Sequence, residues 1–253
     1  MLRQTKIQTY ICLLFFSWCH LAIAYSWKNI APGIEYIDMA DRNLVPWSHI
    51  HVFKIDLNQQ QLDIVTARDL SKQSASVKDF ATHSNAVIAI NGGFFDTEYK
   101  PLGLRLGHDH QYSKLKSISW WGVFYIADNQ PHLSNYAYYK SHRNHSNHID
   151  FAIQSGPRLL IDGKTPKLKP GVAERTALGI TDDKHIVLLV TERSPMTTAS
   201  LSKLMKRAPL SCEQALNLDG GSSSQIYAQL GLLNIHAHGL SNVSDAVVVK
   251  TRK

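Results

Sequence analysis

Two short segments of nearly the same order hold the side chains best placed to do chemistry. Ile90-Asn91-Gly92-Gly93 and Leu218-Asp219-Gly220-Gly221 each close an apolar run with an amide or a carboxylate and then two glycines. Glycine has no Cβ and a permissive φ, so a pair after a buried strand turns the chain sharply and brings backbone N–H groups close to a ligand. Ser222, Ser223 and Ser224 add hydroxyls after the second pair. The plainer reading is two tight turns with Asx capping. Neither segment is a phosphate P-loop, since no Gly-Lys-Ser/Thr follows, and the chain has no Gly-x-Ser-x-Gly nucleophile elbow.

Arg175 opens the apolar segment Arg175-Thr176-Ala177-Leu178-Gly179-Ile180, where a guanidinium needs an anionic partner. That partner is either a structural carboxylate such as Asp219 or the anionic part of a substrate. The 13 histidines include His142-x-x-His145-x-x-His148, His236-x-His238 and the pair His49 and His51 on one strand face. No cysteine cluster or His-Glu-x-x-His accompanies them, so no metal site is assigned. Trp120-Trp121, and Tyr136, Tyr138 and Tyr139 beside Lys140, are stacking candidates for sugars or bases, with core packing as the simpler role.

The elements that must position these residues are mostly short strands. Ile50 to Ile55 and Leu62 to Val65 alternate around the Asn58-Gln59-Gln60 turn, and a helix starts at a Ser76 N-cap with Val77, Phe80 and Ala81 on one face. It feeds Ala86 to Ile90, a continuous apolar run suited to a strand buried on both faces. Strands follow at Ile118 to Ile126 and Phe151 to Gln154, with Asn135 to His148 between them reading as an insertion loop. After the Asp162-Gly163 turn and the Lys164 to Gly171 loop come paired strands, Arg175 to Thr181 and Ile186 to Val190. A helix over Ser200 to Ala208 then leads to Ala215 to Leu218. The expected fold class is α+β: a single domain with a central mixed β-sheet and few helices.

The N-terminus changes how the composition is read. Arg3 and Lys6, an apolar stretch from Ile11 to Ile23 and Ala22-Ile23-Ala24 form a basic, apolar and small-residue series. It predicts a signal peptide over residues 1–24 with cleavage before Tyr25, and hence a periplasmic or extracellular protein with no membrane anchor after cleavage. Of 253 residues at net charge +7 with three cysteines, 229 residues at +5 with Cys212 alone then remain. No internal disulfide is possible, and Cys212 reads as a small structural residue. Lys164, Lys167 and Lys169 stand in one proline-containing loop, and no dense basic run supports nucleic-acid binding.

Five motifs in order carry a resemblance. Ala89-Ile90-Asn91-Gly92-Gly93-Phe94-Phe95, Pro101-x-Gly103-Leu104, Gln154-Ser155-Gly156-Pro157, Arg175-Thr176-Ala177-x-Gly179 and Asn217-Leu218-Asp219-Gly220-Gly221-Ser222-Ser223 together resemble the phosphodiester glycosidase family. The likeness runs from Trp27 to the final strand Ser244 to Val249, almost the whole of residues 25–253. It implies hydrolysis of a sugar joined through its anomeric carbon to a phosphodiester, the substrate being a sugar-1-phosphodiester or a cell-envelope glycan. A phosphate oxygen departs with little protonation, so the demand falls on an anion clamp and on a group facing oxocarbenium-like charge.

On this resemblance Asp219 is the carboxylate, Arg175 the clamp and Glu192 the favoured second carboxylate over Glu174, Asp96 and Asp182. Asn91, Gly92, Gly93, Ser155, Gly156, Asn217, Gly220, Gly221 and Ser222 are the expected substrate-binding residues. No cofactor is assigned. Two alternatives stand beside this one: a non-catalytic protein binding envelope glycan, and a metal-assisted phosphodiesterase with Asp219 and Asn91 holding a divalent cation.

Overall fold

The computed structural model describes residues 26–40, 45–108, 110–145 and 148–252. The expected signal peptide, residues 1–24, lies outside the described residues. The strands of the described residues fall into four sheets. A seven-stranded sheet has the order Lys28–Ala31, Ile34–Asp38, His49–Ile55, Ile186–Glu192, Thr176–Thr181, Cys212–Asn217, Arg158–Leu160. A five-stranded sheet runs Leu233–Ala237, Ile226–Leu230, Ile88–Asn91, Asp245–Thr251, Gln60–Thr66. A third runs His110–Ser113, Arg105–Gly107, Ile149–Ser155, Gly122–Ala127, Gln130–Asn135, and Val172–Ala173 pairs with Met196–Thr197.

The expectation of one central mixed sheet is overturned, because every ladder is antiparallel and the sheets are separate. Tight turns account for many of the pairings. Asp128 and Asn129, at φ 50° and 62°, form a two-residue link whose left-handed backbone suits the hairpin of Gly122–Ala127 and Gln130–Asn135. The helix Thr198–Lys206 does carry the chain from Ile186–Glu192 to a like-directed Cys212–Asn217. Thr176–Thr181 lies between those two strands and runs opposite to both, so no parallel ladder forms.

The three large sheets face one another across a single core that includes Phe53, Ile55, Ile64, Ile90, Phe124, Phe151, Leu188, Leu216 and Val247. Each also has one helix on its outer face. Leu201, Leu204 and Met205 of Thr198–Lys206 pack on Val52, Ala177 and Val187 of the first sheet, and Phe80 of Val77–Ser84 packs on Ala89 and Val248 of the second. Burying such a side chain completely contributes roughly 1.5–3 kcal/mol.

Ile88, Ala89 and Ile90 therefore alternate between two buried faces, which is why the run is apolar throughout. The Ser76 cap is present as expected, its side chain accepting from Asp79 N at 3.2 Å. The expected loop over residues 135–148 instead contains a helix, Tyr136–His142. It is capped by Asn135 and anchored by Tyr139 against Val123 and Tyr125. One buried aromatic holds this otherwise polar helix, too little for a periodic apolar face in the sequence. No helix among the described residues is long and apolar enough to cross a membrane.

Candidate active site

The two glycine-pair turns meet where the first and second sheets converge. Asn91 ends its strand wholly buried. Its Nδ2 donates to the carbonyls of Asp219 at 2.8 Å and Gly92 at 3.3 Å. Its Oδ1 accepts from Thr176 Oγ1 at 2.6 Å and from Gln225 N at 3.2 Å. All of its side-chain hydrogen-bonding capacity is thus used within the protein, and no atom of it is left for an ion. The Asp219 amide donates back to Gly92 O at 3.2 Å, so the turns hold each other.

Under the first turn lies an ion pair that sequence reading did not assign. Arg105 Nε donates to Asp245 Oδ1 at 2.8 Å, with both side chains fully out of solvent. The other guanidinium nitrogens donate to the carbonyls of Leu104 at 3.1 Å, Gln154 at 3.0 Å and Phe94 at 3.2 Å, and Ser244 Oγ donates to Asp245 Oδ2 at 2.6 Å. Hydrogen bonds on this scale are what make a buried charge tolerable. A Cβ at Gly92 would stand 1.8 Å from Asp245 Oδ1, and one at Gly93 2.5 Å from Arg105 Nη2. The first glycine pair is there because the backbone lies directly on this pair. The sequence signals were faint: a lone arginine between Leu104 and Leu106, and an aspartate ahead of Ala246 to Val249.

Asp219, by contrast, is half-buried. Its Oδ1 accepts from Gly220 N at 2.9 Å, and the Ser223 side chain also bonds the carboxylate. Burial raises its pKa above the ordinary 3.8, against the lowering effect of those two bonds; the Asp245 charge adds to the rise and Arg105 offsets it. Gly220 rests on the Glu174 carbonyl, 2.7 Å from where a Cβ would be, and Gly221 N donates to that same carbonyl at 2.8 Å.

Beside Asp219 are three buried polar atoms without partners: Asn217 Oδ1, Ser155 Oγ and Trp121 Nε1. They are neighbours through the backbone. Asn217 Nδ2 donates to Gly156 O at 3.1 Å, and Gly156 abuts Trp121, whose Cδ1 is 2.7 Å from a Cβ built there. Phe94, next to Gly93, packs on Trp121 with ring centroids 5.3 Å apart. Each such orphaned group costs about 1–3 kcal/mol unless something satisfies it. Three of them on the segments around the strand end that leads to Asp219 form a group of unmet hydrogen-bonding capacity.

Arg175 stands one strand away from Asp219, just before Thr176–Thr181. Its Nε donates to Met196 O at 2.8 Å and its Nη2 to Gly171 O, while no carboxylate among the described residues pairs with it. Burial, with no compensating charge, lowers its pKa. Its cationic head is held by carbonyls and keeps its charge uncancelled.

The structure thus gathers Asn91, Gly92, Gly93, Ser155, Gly156, Asn217, Asp219, Gly220 and Gly221 in one place, with the backbone of Arg175 beside them and its guanidinium held at Met196 and Gly171. Glu192 and Ser222 lie apart. Glu192 is a further strand beyond Arg175, roughly 10 Å from Asp219 at about 4.8 Å per strand. Its Oε2 lies 3.2 Å from His51 Nε2, while His51 Nδ1 is 3.0 Å from the Tyr36 hydroxyl. Burial lowers the His51 pKa, with the Glu192 bond opposing it.

Ser222 is exposed and bonds Ser241 through both its carbonyl and its hydroxyl. Of the other carboxylates considered, Glu174 is held by Thr191 Oγ1 and Ser194 N, and Asp96 and Asp182 accept from their own turns. Cys212 is buried, and burial pushes its thiol pKa up, away from reactivity.

The sequence model of the phosphodiester glycosidase family matches residues 84–250. The uncharacterized protein YigE of Escherichia coli K12 is 30% identical over 171 residues, 63% of this chain and 65% of that protein, so the chain spans just under two thirds of that relative's length. The catalytic domain of zebrafish N-acetylglucosamine-1-phosphodiester α-N-acetylglucosaminidase, in a structure auto-inhibited by its pro-peptide, superposes with a TM-score of 0.66. It is 16% identical, over 90% of this chain and 88% of that one. A hypothetical protein from Synechocystis superposes at 0.62 with 15% identity, over 91% of this chain and 64% of that one. At these identities the two superpositions speak for the fold.

Proposed function

The chain belongs to the phosphodiester glycosidase family, and from that premise we propose that it hydrolyses a sugar-1-phosphodiester, with Asp219 as the reacting carboxylate. The C1–O bond to phosphate breaks and water adds at C1. The products are the free sugar and a phosphomonoester, and one proton passes to solvent. The observation that carries this reading is the half-buried Asp219 beside the three unpartnered atoms of Ser155, Asn217 and Trp121.

The desolvation that raises the Asp219 pKa also strengthens the attraction of its ionised form for positive charge developing at C1. Asn217 Oδ1 accepts, Trp121 Nε1 donates and Ser155 Oγ does either, a set matched to sugar hydroxyl or amide groups. Arg175, fixed by two carbonyls and lacking a carboxylate partner, neutralises the departing phosphate. Glu192, whose backbone is two strand spacings from that of Asp219 and whose carboxylate bonds His51, is given no part in the chemistry.

The basic, apolar and small-residue order of residues 3–24 supports export, so that the mature domain of residues 25–253 meets its substrate in the periplasm or outside the cell.

Purified protein is assayed against UDP-linked and aryl α-sugar phosphates for release of free sugar. Turnover is expected, with kcat lost in Asp219→Asn and KM raised in Arg175→Ala. Full activity in both variants removes these residues from the chemistry. Binding without turnover across the panel favours a glycan-binding protein instead.

A further inference from the structure

Away from the Asp219 site, at the other end of the strand Ile149–Ser155, three potential metal ligands converge. Leu106 pairs with Ala152 across the ladder between Arg105–Gly107 and that strand, so two residues further along His108 comes opposite Asp150. His148 lies just before the strand, where an irregularity between Ile149 and Phe151 interrupts the ladder, and its ring reaches Asp150. His148 Nε2 is 2.9 Å from Asp150 Oδ1, His108 Nδ1 is 3.8 Å from the same oxygen, and the three ligand atoms all lie within 4.8 Å of one another.

The geometry points to a divalent transition-metal site of the zinc class made by His108, His148 and Asp150. Zinc holds imidazole nitrogen and carboxylate oxygen at about 2.0–2.2 Å, which sets tetrahedral donors about 3.3 Å apart. The two measured separations bracket that value, and the His108–His148 pair, within 4.8 Å, closes by rotation of two exposed rings. Two imidazoles and one carboxylate favour zinc over calcium or magnesium, which take oxygen ligands.

Both histidines are more than half exposed, so an ion enters from solvent and keeps water as its fourth ligand. Asp63, ion-paired with Lys250 at 2.9 Å, fixes the His108 backbone by accepting from its N–H at 3.0 Å, and Arg252 lines the same small recess without joining the donor set. A bound ion fastens the hairpin of Arg105–Gly107 and His110–Ser113 to the neighbouring strand, three residues from the buried Arg105. Sequence spacing hides the set, because His108 reaches the other two only through strand pairing.

The test is calorimetric titration of chelator-stripped, full-length mature protein with Zn2+, together with thermal unfolding at matched metal concentrations. Expected are about one Zn2+ per chain, a raised Tm, and no comparable effect of Ca2+ or Mg2+. His148→Gln and Asp150→Asn each weaken binding by about tenfold or more and remove the Tm shift. His236→Ala, at a distant exposed pair, leaves both unchanged. No binding, equal binding in the His148→Gln and Asp150→Asn variants, or loss in His236→Ala overturns the assignment. A crystal of the zinc-treated protein with its anomalous peak elsewhere does the same.

Discussion

Asn91-Gly92-Gly93 and Asp219-Gly220-Gly221 are almost the same peptide in opposite surroundings. The first is sealed: Asn91 makes four hydrogen bonds inside the protein, and both glycines lie against the Arg105–Asp245 pair. The second is more open: Asp219 is partly exposed, a Cβ at Gly221 would meet nothing within 4 Å, and buried polar atoms of Asn217, Ser155 and Trp121 have no partner. One turn is a bracket and the other a tool. The difference shows that a strand-Gly-Gly motif marks a place where backbone comes close to something. Whether that something is the protein's own buried charge or a substrate depends on what the fold puts underneath.

Exchanging the polar residues tests this division most severely. Asp219→Asn is expected to lower kcat by about 10²–10⁴-fold while the protein stays folded, measured by steady-state kinetics with circular dichroism. Asn91→Asp is expected to act on folding instead. It deprives the Asp219 and Gly92 carbonyls of a donor and buries a charge, for a loss of about 3 kcal/mol or more in denaturant unfolding. If Asn91→Asp stays stable and loses only activity, Asn91 belongs to the chemistry and the division fails.

The glycines sharpen the contrast. Gly92→Ala must push apart the Arg105–Asp245 pair and is expected to cost about 3–5 kcal/mol by urea titration. Gly221→Ala has room, and only its φ of +62° opposes an L side chain, so about 1–2 kcal/mol is expected. Equal losses at the two sites dissolve the distinction.

The smallest effect is in pH. The folded pKa of Asp219 is raised above 3.8, so below that value both states are protonated and the group costs nothing. As pH rises through the raised value, the native state has to carry a desolvated charge and stability falls. Asp219→Asn is therefore expected to be more stable than the parent at neutral pH, with the gain vanishing in acid. Unfolding curves collected across pH check the sign, and a variant less stable at neutral pH contradicts it.

Much of the second sheet and its helix was legible in the sequence. The Ser76 cap and the face of Val77, Phe80 and Ala81 follow from local periodicity and are found, and of the run Ala86 to Ile90 the strand takes the last three residues and Asn91. Sheet organisation was not legible, because short apolar strands carry no record of their partners. Of the site, the Gly-Gly turns and their polar leaders stood out by residue type and order. Arg105 and Asp245 did not, since each becomes significant only through contacts with residues far away in sequence, and Trp121 stood out as a stacking ring but not for its unpartnered indole N–H.

What the sequence determined alone was therefore local and categorical. It specified where strands end, which turns require glycine, and through five ordered motifs the family to which the chain belongs. Tertiary structure decided everything that depends on proximity: which turn is sealed, which carboxylate is desolvated yet reachable, that Glu192 answers to His51, and that His108 meets His148 and Asp150. The physical reason is that burial and hydrogen bonding set charge, reactivity and cost, and both are fixed by strands brought together from across the chain.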